Sequence, residues 1–311
     1  MIIPPKLKFG DTIALISTSS PLQGGETIED IAAGVEALGF HVWIGESCRG
    51  AAKCGYSAAS PEIRVKDIHH AFMDDEIRAV WCTRGGSTAW QILPFLDYKL
   101  IAANPKPFIG FSDVTTLHMA FQQHCGMVTY HGPTANRVLR WGENDAFSWP
   151  ALWSVLNLEG ELDILNPEGE EIQTLRTGCA EGELIGGNLA LVAASVGTPW
   201  QIDAKDRILY LEDVGEGVYA LERMLAKLRY AGVLDSAAGI VLGAFTSCRN
   251  AYRAEYGPEE LMRDFFADYS KPVLYNVRSA HCDPMSTLPM GMWCRLDGEN
   301  GTLTCCSTGI K

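Results

Sequence analysis

The chain has 311 residues, 47% apolar and 20% charged, an ordinary globular mix with length for two domains that bury a core without metal or disulfide staples. Its formal net charge is −13, which argues against nucleic acid and anionic membrane as partners, because both repel an acidic protein at long range. No apolar run reaches the roughly 18 residues of a membrane span, and the opening MIIPPKLKFGDTIAL puts prolines and charges where a signal sequence is apolar, so the chain is expected to stay in the cytoplasm.

The first half alternates short apolar runs with amphipathic stretches. Thr12–Ser17 (TIALIS) reads as a buried strand. A helix follows, with Ile28, Ile31, Val35 and Leu38 on one face and a stop at Gly39. His41–Ile44 is the next strand, and Ser60-Pro61-Glu62 opens a helix, since serine caps and proline suits the first helical position. Arg78–Cys82 is a strand running into Arg84-Gly85-Gly86. Pro107–Phe111 is a strand running into Ser112-Asp113, after which VTTLHMAFQQH reads as a helix. Such β-α-β-α alternation implies a mostly parallel sheet, with ligands at the carboxyl ends of its strands.

The stretch from about Trp141 to Ala180 has three tryptophans and then a polar, glycine-containing passage, and reads as a crossing segment. Beyond it, LIGGNLALVAASVGTPW suggests a turn and a helix. Arg207–Val214 is a strand, YALERMLAKLRYAG a helix, Gly239–Phe245 a strand and PEELMRDFFADY a helix. The end, WCRLDGENGTLTCC, suggests a hairpin turning at Asn300-Gly301. The expected fold is therefore α/β. A parallel-sheet N-terminal domain spans 1–150, a linker 151–180, and a second α/β domain with a β-rich tail 181–311. The ten cysteines form no CxxC pair, so zinc-ribbon and thioredoxin readings fail and free thiols are expected.

Four places carry chemistry. Ser112 lies where a strand turns into a helix, so its Oγ projects outward and the Asp113 N–H points at whatever Oγ attacks. Gly85 and Gly86, after the neighbouring strand, allow close backbone approach, and the Gly86 N–H is a second candidate oxyanion donor. Glu212 and Asp213 end an apolar strand, where alternation sends them to opposite faces. His281, in the loop SAHCDP, is a candidate base, with His131 in YHGPT as its competitor. Each also has an ordinary reading: a helix cap, a plain turn, a solvated strand end, a packed histidine. Gly215-Glu216-Gly217-Val218-Tyr219-Ala220 matches a dinucleotide fingerprint, but Glu212, Asp213 and Glu216 would repel a pyrophosphate there. There is neither a Walker A loop nor an HExxH motif, so no cofactor and no metal are expected.

Together these places fall inside a longer pattern. LKFGDTIALISTSSP, EIRVKDIHHAFMDDEIRAVWCTRGG, NPKPFIGFSDVTTLH, LIGGNLALVAASVGTPW, LYLEDVGEGVYALERMLAKLRYAGVLDSAAGIVLGAF and AHCDPMSTLPMG resemble, in that order, the LD-carboxypeptidase family, which also holds the microcin self-immunity proteins. The resemblance implies a serine hydrolase with a Ser–Glu–His triad of Ser112, Glu212 and His281, and oxyanion donors on the backbone of Gly86 and Asp113. It implies a murein tetrapeptide as substrate, cut between an L-centre and a terminal D-alanine in cell-wall recycling, and a homodimer. The chain departs from the family pattern at Ser87–Trp90, where tyrosine and glycine usually follow RGG, at Ala280, where glycine is frequent, and at Met285, where asparagine is common. Two alternatives stand beside this expectation: hydrolysis of a microcin-type peptidyl-nucleotide amide, for which Trp141, Trp149 and Trp153 offer stacking surfaces, and a non-catalytic peptide-binding protein.

Overall fold

The computed structural model describes residues 1–52, 54–141 and 145–307, and the chain divides into two compact units, Met1–Asn157 and Leu158–Lys311. In the first unit the order is β1 (Thr12–Ile16), α1 (Ile28–Ala37), β2 (His41–Ile44), α2 (Pro61–Met73), β3 (Ile77–Cys82), α3 (Tyr98–Ala103), β4 (Phe108–Gly110), α4 (Thr115–Cys125), β5 (Thr129–His131) and α5 (Ser148–Leu156). Its strands run parallel in the order β5-β4-β3-β1-β2. Ile13, Leu15, Val80 and Phe108 are fully buried, which is why these strands read as unbroken apolar runs. Each such side chain contributes about 1.5–3 kcal/mol by leaving water. Thr27 caps α1 by accepting from the Asp30 N–H at 3.1 Å, and Pro61 opens α2 with Ser60 at the cap, whose hydroxyl makes no capping bond.

Trp149 and Trp153 of α5 belong to the first unit. Trp153 stacks on Phe9 with ring centroids 4.6 Å apart, and Trp149 meets Phe40 edge-on at 6.0 Å. Trp141 lies 5.6 Å from Trp149 and 6.0 Å from Trp81.

The second unit contains β6 (Glu161–Asp163), β7 (Gln173–Arg176), β8 (Cys179–Asn188), α6 (Leu189–Ser195), β9 (Ile208–Val214), α7 (Val218–Tyr230), α8 (Val233–Ser236), β10 (Gly239–Thr246), α9 (Pro258–Phe265), β11 (Val273–Tyr275), β12 (Leu288–Met290), β13 (Trp293–Asp297) and β14 (Thr302–Cys306). One sheet runs β6-β14-β13-β8-β9-β10-β11-β7, with β8 to β11 parallel and the flanking pairs antiparallel. The fold is thus mixed α/β, with a parallel sheet in the N-terminal part and a β-rich C-terminal part. The tail is the expected hairpin, with Asp297 paired to Thr302 across the turn.

LIGGN is not a turn: it is the end of β8, with Gly186 and Gly187 paired to Tyr210 and Leu211 of β9. A Cβ on Gly186 would stand 2.0 Å from the Tyr210 carbonyl oxygen, and its φ is +113°. Gly186 therefore serves close strand packing. The expected linker 151–180 takes in most of α5, the whole of β6 and β7 and the start of β8.

Candidate active site

Strand order places the first group of residues. β2 and β3 flank β1 on opposite sides, so the loops leaving β1 and β3 open at a topological switch point, the usual ligand crevice of such sheets. These loops are tied together: the Thr83 N–H donates to the Ile16 carbonyl at 2.8 Å, and the Ser20 N–H to that of Gly85 at 3.2 Å. Ser112 follows the next strand, β4. Its φ is +64°, the left-handed region that costs a side-chain-bearing residue about 1–2 kcal/mol. Ser112 does not occupy a capping position: it opens a short 3₁₀ turn, Ser112–Val114, whose cap is Phe111, and α4 after it is capped at Val114. The plain-cap reading therefore fails, and the serine is held in the sharp strand–turn–helix geometry that presents Oγ.

The glycines of the neighbouring turn are required by space. A Cβ on Gly85 would lie 2.7 Å from Ser112 Cβ and 3.0 Å from its Oγ. Gly86 has φ +149°, and a Cβ there would lie 2.1 Å from Ser20 Oγ. Any larger residue at either place would move the serine turn or the 17–20 loop. The departure from the family pattern begins only after these glycines, at Ser87.

Two buried side-chain charges, to which the expected site gave no role, grip the same loops. Asp113 is 2% exposed, and its Oδ2 accepts from Ser19 Oγ at 2.5 Å and from the Ala89 N–H at 2.7 Å. Arg64 of α2 is 1% exposed; its Nη1 donates to the Thr18 carbonyl at 3.0 Å and the Thr88 carbonyl at 3.0 Å, and its Nη2 to Gln91 Oε1 at 2.6 Å. Sequence reasoning missed Arg64 and Ser19. The available signal was Arg64 itself, a charge four residues before Ile68 on the buried face of α2.

The second group lies in the second unit. His281 Nδ1 is 2.8 Å from Glu212 Oε2, with the Glu212 side chain fully buried and that of His281 16% exposed. Glu212 Oε1 is buried with no hydrogen-bond partner among the described residues. Alternation along β9 turns the next carboxylate elsewhere: Asp213 accepts from Asn188 Nδ2 at 3.1 Å and the Ala190 N–H at 3.0 Å. Burial, with Glu212 alongside, pushes the Asp213 carboxyl up to about 6. The solvated-strand-end reading fails for both residues. The loop carrying His281 is anchored where Tyr210 donates from its hydroxyl to the Ser279 carbonyl at 3.0 Å and Ser279 Oγ to that of Ser286 at 2.9 Å. Ala280 has φ +79°. Its place is one where glycine is unstrained, so this departure from the family pattern leaves a locally strained backbone.

The competitor, His131, is buried on β5, its ring 6.3 Å from Phe111 and 5.8 Å from His118. His118 is fully buried and donates from Nε2 to the Gly110 carbonyl at 2.8 Å, bracing the strand that delivers Ser112. Burial drives its imidazole down to about 4, against the pull of that carbonyl. A histidine depressed in the folded state stabilises the protein above its unfolded value of roughly 6.5 and loses that contribution as pH falls through the folded value. Acidification from pH 7 to 4 is therefore expected to withdraw about 3 kcal/mol through His118. Urea midpoints across this range test it: His118→Gln keeps a side-chain N–H for Gly110 but cannot titrate, and should flatten the acid limb. A variant that loses stability as steeply as wild type would show that other groups cause the loss.

The structure thus brings Ser112, Gly85, Gly86 and Asp113 together in one unit and Glu212 with His281 in the other. Among the described residues no cluster of three or more His, Cys, Asp or Glu is placed to hold a metal ion, and no helix is long and apolar enough to cross a membrane. The ten cysteines are free thiols.

Comparison with known proteins assigns the class. The LD-carboxypeptidase N-terminal domain family matches residues 13–132, and the LD-carboxypeptidase C-terminal domain family matches residues 181–296. The chain is 34% identical to a probable murein peptide carboxypeptidase of Bacillus subtilis, over 93% of this chain and 89% of that one. It is 33% identical to the murein tetrapeptide carboxypeptidase of Pseudomonas aeruginosa, over 92% and 93%. A crystal structure of an MccF-like protein from Bacillus anthracis matches with a TM-score of 0.89 at 26% identity, covering 99% of this chain and 100% of that one. The protein is therefore a hydrolase, a carboxypeptidase of the serine type. It belongs to the LD-carboxypeptidase family, and the non-catalytic alternative is set aside.

Proposed function

We propose that this carboxypeptidase releases the terminal D-alanine of murein tetrapeptides, cutting the amide between an L-centre, lysine or diaminopimelate, and D-alanine. Ser112 is the nucleophile, His281 the base and Glu212 the carboxylate that orients it, with the Gly86 and Asp113 N–H groups as oxyanion donors. The observation that carries the mechanism is the 2.8 Å contact of His281 Nδ1 with Glu212 Oε2. A carboxylate on Nδ1 fixes the tautomer whose Nε2 is open to take a proton.

The sequence of steps follows from these roles. His281 Nε2 takes the proton of Ser112 Oγ as Oγ bonds to the scissile carbonyl carbon, and Glu212 stabilises the imidazolium. Two backbone N–H groups receive the oxyanion. The imidazolium then gives its proton to the leaving amine as the C–N bond breaks, and water, deprotonated by His281, hydrolyses the acyl-enzyme. The murein substrate is supported by the names of the Bacillus and Pseudomonas relatives. The peptidyl-nucleotide alternative draws on the MccF-like likeness, but the tryptophans it called on, Trp141, Trp149 and Trp153, pack against one another and against Phe9, Phe40 and Trp81. Cytoplasmic recycling of cell-wall peptides and a homodimeric state complete the proposal.

The test is D-alanine release from a murein tetrapeptide, run beside labelling by a fluorophosphonate probe. Release with labelling of Ser112 is the expected result. Labelling without release would keep the nucleophile and discard the substrate, and peptidyl-nucleotide amides would be tried next.

A further inference from the structure

The oxyanion donors proposed above sit on two segments that no covalent neighbour joins: Gly86 follows β3, and Asp113 follows β4. Stabilising an oxyanion needs both N–H groups at about 2.7–3.1 Å from one point, so something must fix the separation of the segments. The backbone alone is poorly suited. The segment beginning at Gly86 leaves its strand through two glycines and is exposed at Gly86 and Ser87.

Polar side chains in the interior do what the backbone does not. Asp113 Oδ2 receives the Ala89 N–H directly at 2.7 Å, and it receives Ser19 Oγ at 2.5 Å. Ser19 Oγ in turn accepts the Thr88 N–H at 3.0 Å. Consecutive N–H groups beyond the glycine turn thus end, by one step or two, on the carboxylate of the residue beside the serine. Arg64 answers from the other side, donating to the carbonyls of Thr18 and Thr88 at 3.0 Å each and to Thr88 Oγ1 at 3.2 Å. The anion therefore holds residues 19 and 89 while the cation holds residues 18 and 88. Both charges are almost completely buried, where such bonds are strong and a missing partner is costly.

We propose that the Asp113 carboxylate, acting with Arg64, is the positioning device of the oxyanion site: it clasps the 88–89 segment to the Ser112 turn and so sets where the Gly86 N–H stands. The proposal rests on Ser112 being the nucleophile. Asp113 thus has two separate duties, a backbone N–H that meets the substrate and a side chain that never touches it. Asparagine at this position could accept both contacts on its carbonyl oxygen, but it gives up the negative charge that strengthens them and puts an NH₂ where Oδ1 lies buried without a hydrogen-bond partner among the described residues.

The test compares wild type, Asp113→Asn, Ser19→Ala and the double variant, well below their melting temperatures. Rates of fluorophosphonate labelling of Ser112 and kcat and KM for tetrapeptide hydrolysis are read beside Tm. Loss of position is expected to slow labelling and kcat by about 10–100-fold in Asp113→Asn, with KM little changed. Ser19→Ala should give a smaller loss, and the double variant should fall short of the product of the two losses, because both changes act on one chain of bonds. A merely structural carboxylate would lower Tm and leave the labelling rate of folded protein untouched; that result overturns the clasp and leaves the nucleophile standing. If Asp113→Asn does not fold, Ser19→Ala decides, since it retains the Ala89 contact: slowed labelling supports the clasp and wild-type labelling overturns it. Failure of wild type itself to label would remove the nucleophile and the clasp together.

Discussion

Ser112→Ala is expected to lower kcat for D-alanine release by on the order of 10⁴-fold or more, with the protein still folded. On the proposed mechanism the loss comes from removing the atom that would form the acyl bond, while the proposed oxyanion donors and the binding contacts would supply the residual rate. Alanine keeps the Cβ that Gly85 is shaped to receive, so the turn should hold. Ser112→Gly makes a sharper test. The serine occupies φ +64°, a conformation glycine adopts without penalty, so this variant should be more stable than wild type by about 1 kcal/mol while being equally inactive. Opposite movement of stability and activity at one residue is the mark of strain held for function. Scanning calorimetry with a D-alanine assay reads both. More than a few per cent of wild-type turnover in either folded variant would mean that another group attacks the amide.

Much of the fold is readable before any coordinates because fully buried parallel strands appear as short continuous apolar runs: ALI in β1, AVWC in β3, ILYL in β9. Glycine and proline punctuate them at Gly39, Pro61 and Gly232. The places where the reading departs have physical reasons. Gly186-Gly187 looks like a turn by composition, yet lies in a strand, and at Gly186 the neighbouring strand is too close for a side chain. β6 and β7, ELD and QTLR, are short and polar because they are the two edge strands of their sheet, so they carry no apolar run to announce them. Among the site residues, the strand–serine–helix order made Ser112 a candidate, but a plain helix cap fitted the same order until the resemblance to a family was added. Glu212 and His281 stand 69 residues apart, and no local pattern joins them; only the resemblance to a family did. The buried charges Arg64 and Asp113 were visible as letters but not as partners, since what they hold is backbone from two other loops.

Glu212→Gln is expected to lower kcat by about 10⁴-fold, the scale seen when the orienting carboxylate of a serine-protease triad becomes an amide. The substitution preserves shape, and Glu212 is fully buried with Oε1 lacking a hydrogen-bond partner among the described residues, so the amide neither breaks a second contact nor needs new space. What it changes is the charge that favours an imidazolium and the single-minded acceptor facing Nδ1. An amide can present its NH₂ to that nitrogen instead, which would hold the ring in the tautomer with Nε2 protonated and unable to take the serine proton. The adjacent carboxylate gives the control. Asp213 faces Asn188 and the start of α6 rather than His281, so Asp213→Asn should stay within about tenfold of wild-type kcat and act mainly on stability. Its carboxyl is held up near 6 by burial. A raised carboxyl favours the fold when protonated, so wild type should lose this contribution as pH rises through 6, and Asp213→Asn should not. If Glu212→Gln and Asp213→Asn lower kcat equally, the 2.8 Å contact to His281 is structural and the carboxylate must be removed from the mechanism; if only Glu212→Gln does so, and fluorophosphonate labelling of Ser112 slows with it, Glu212 acts through His281 on the serine.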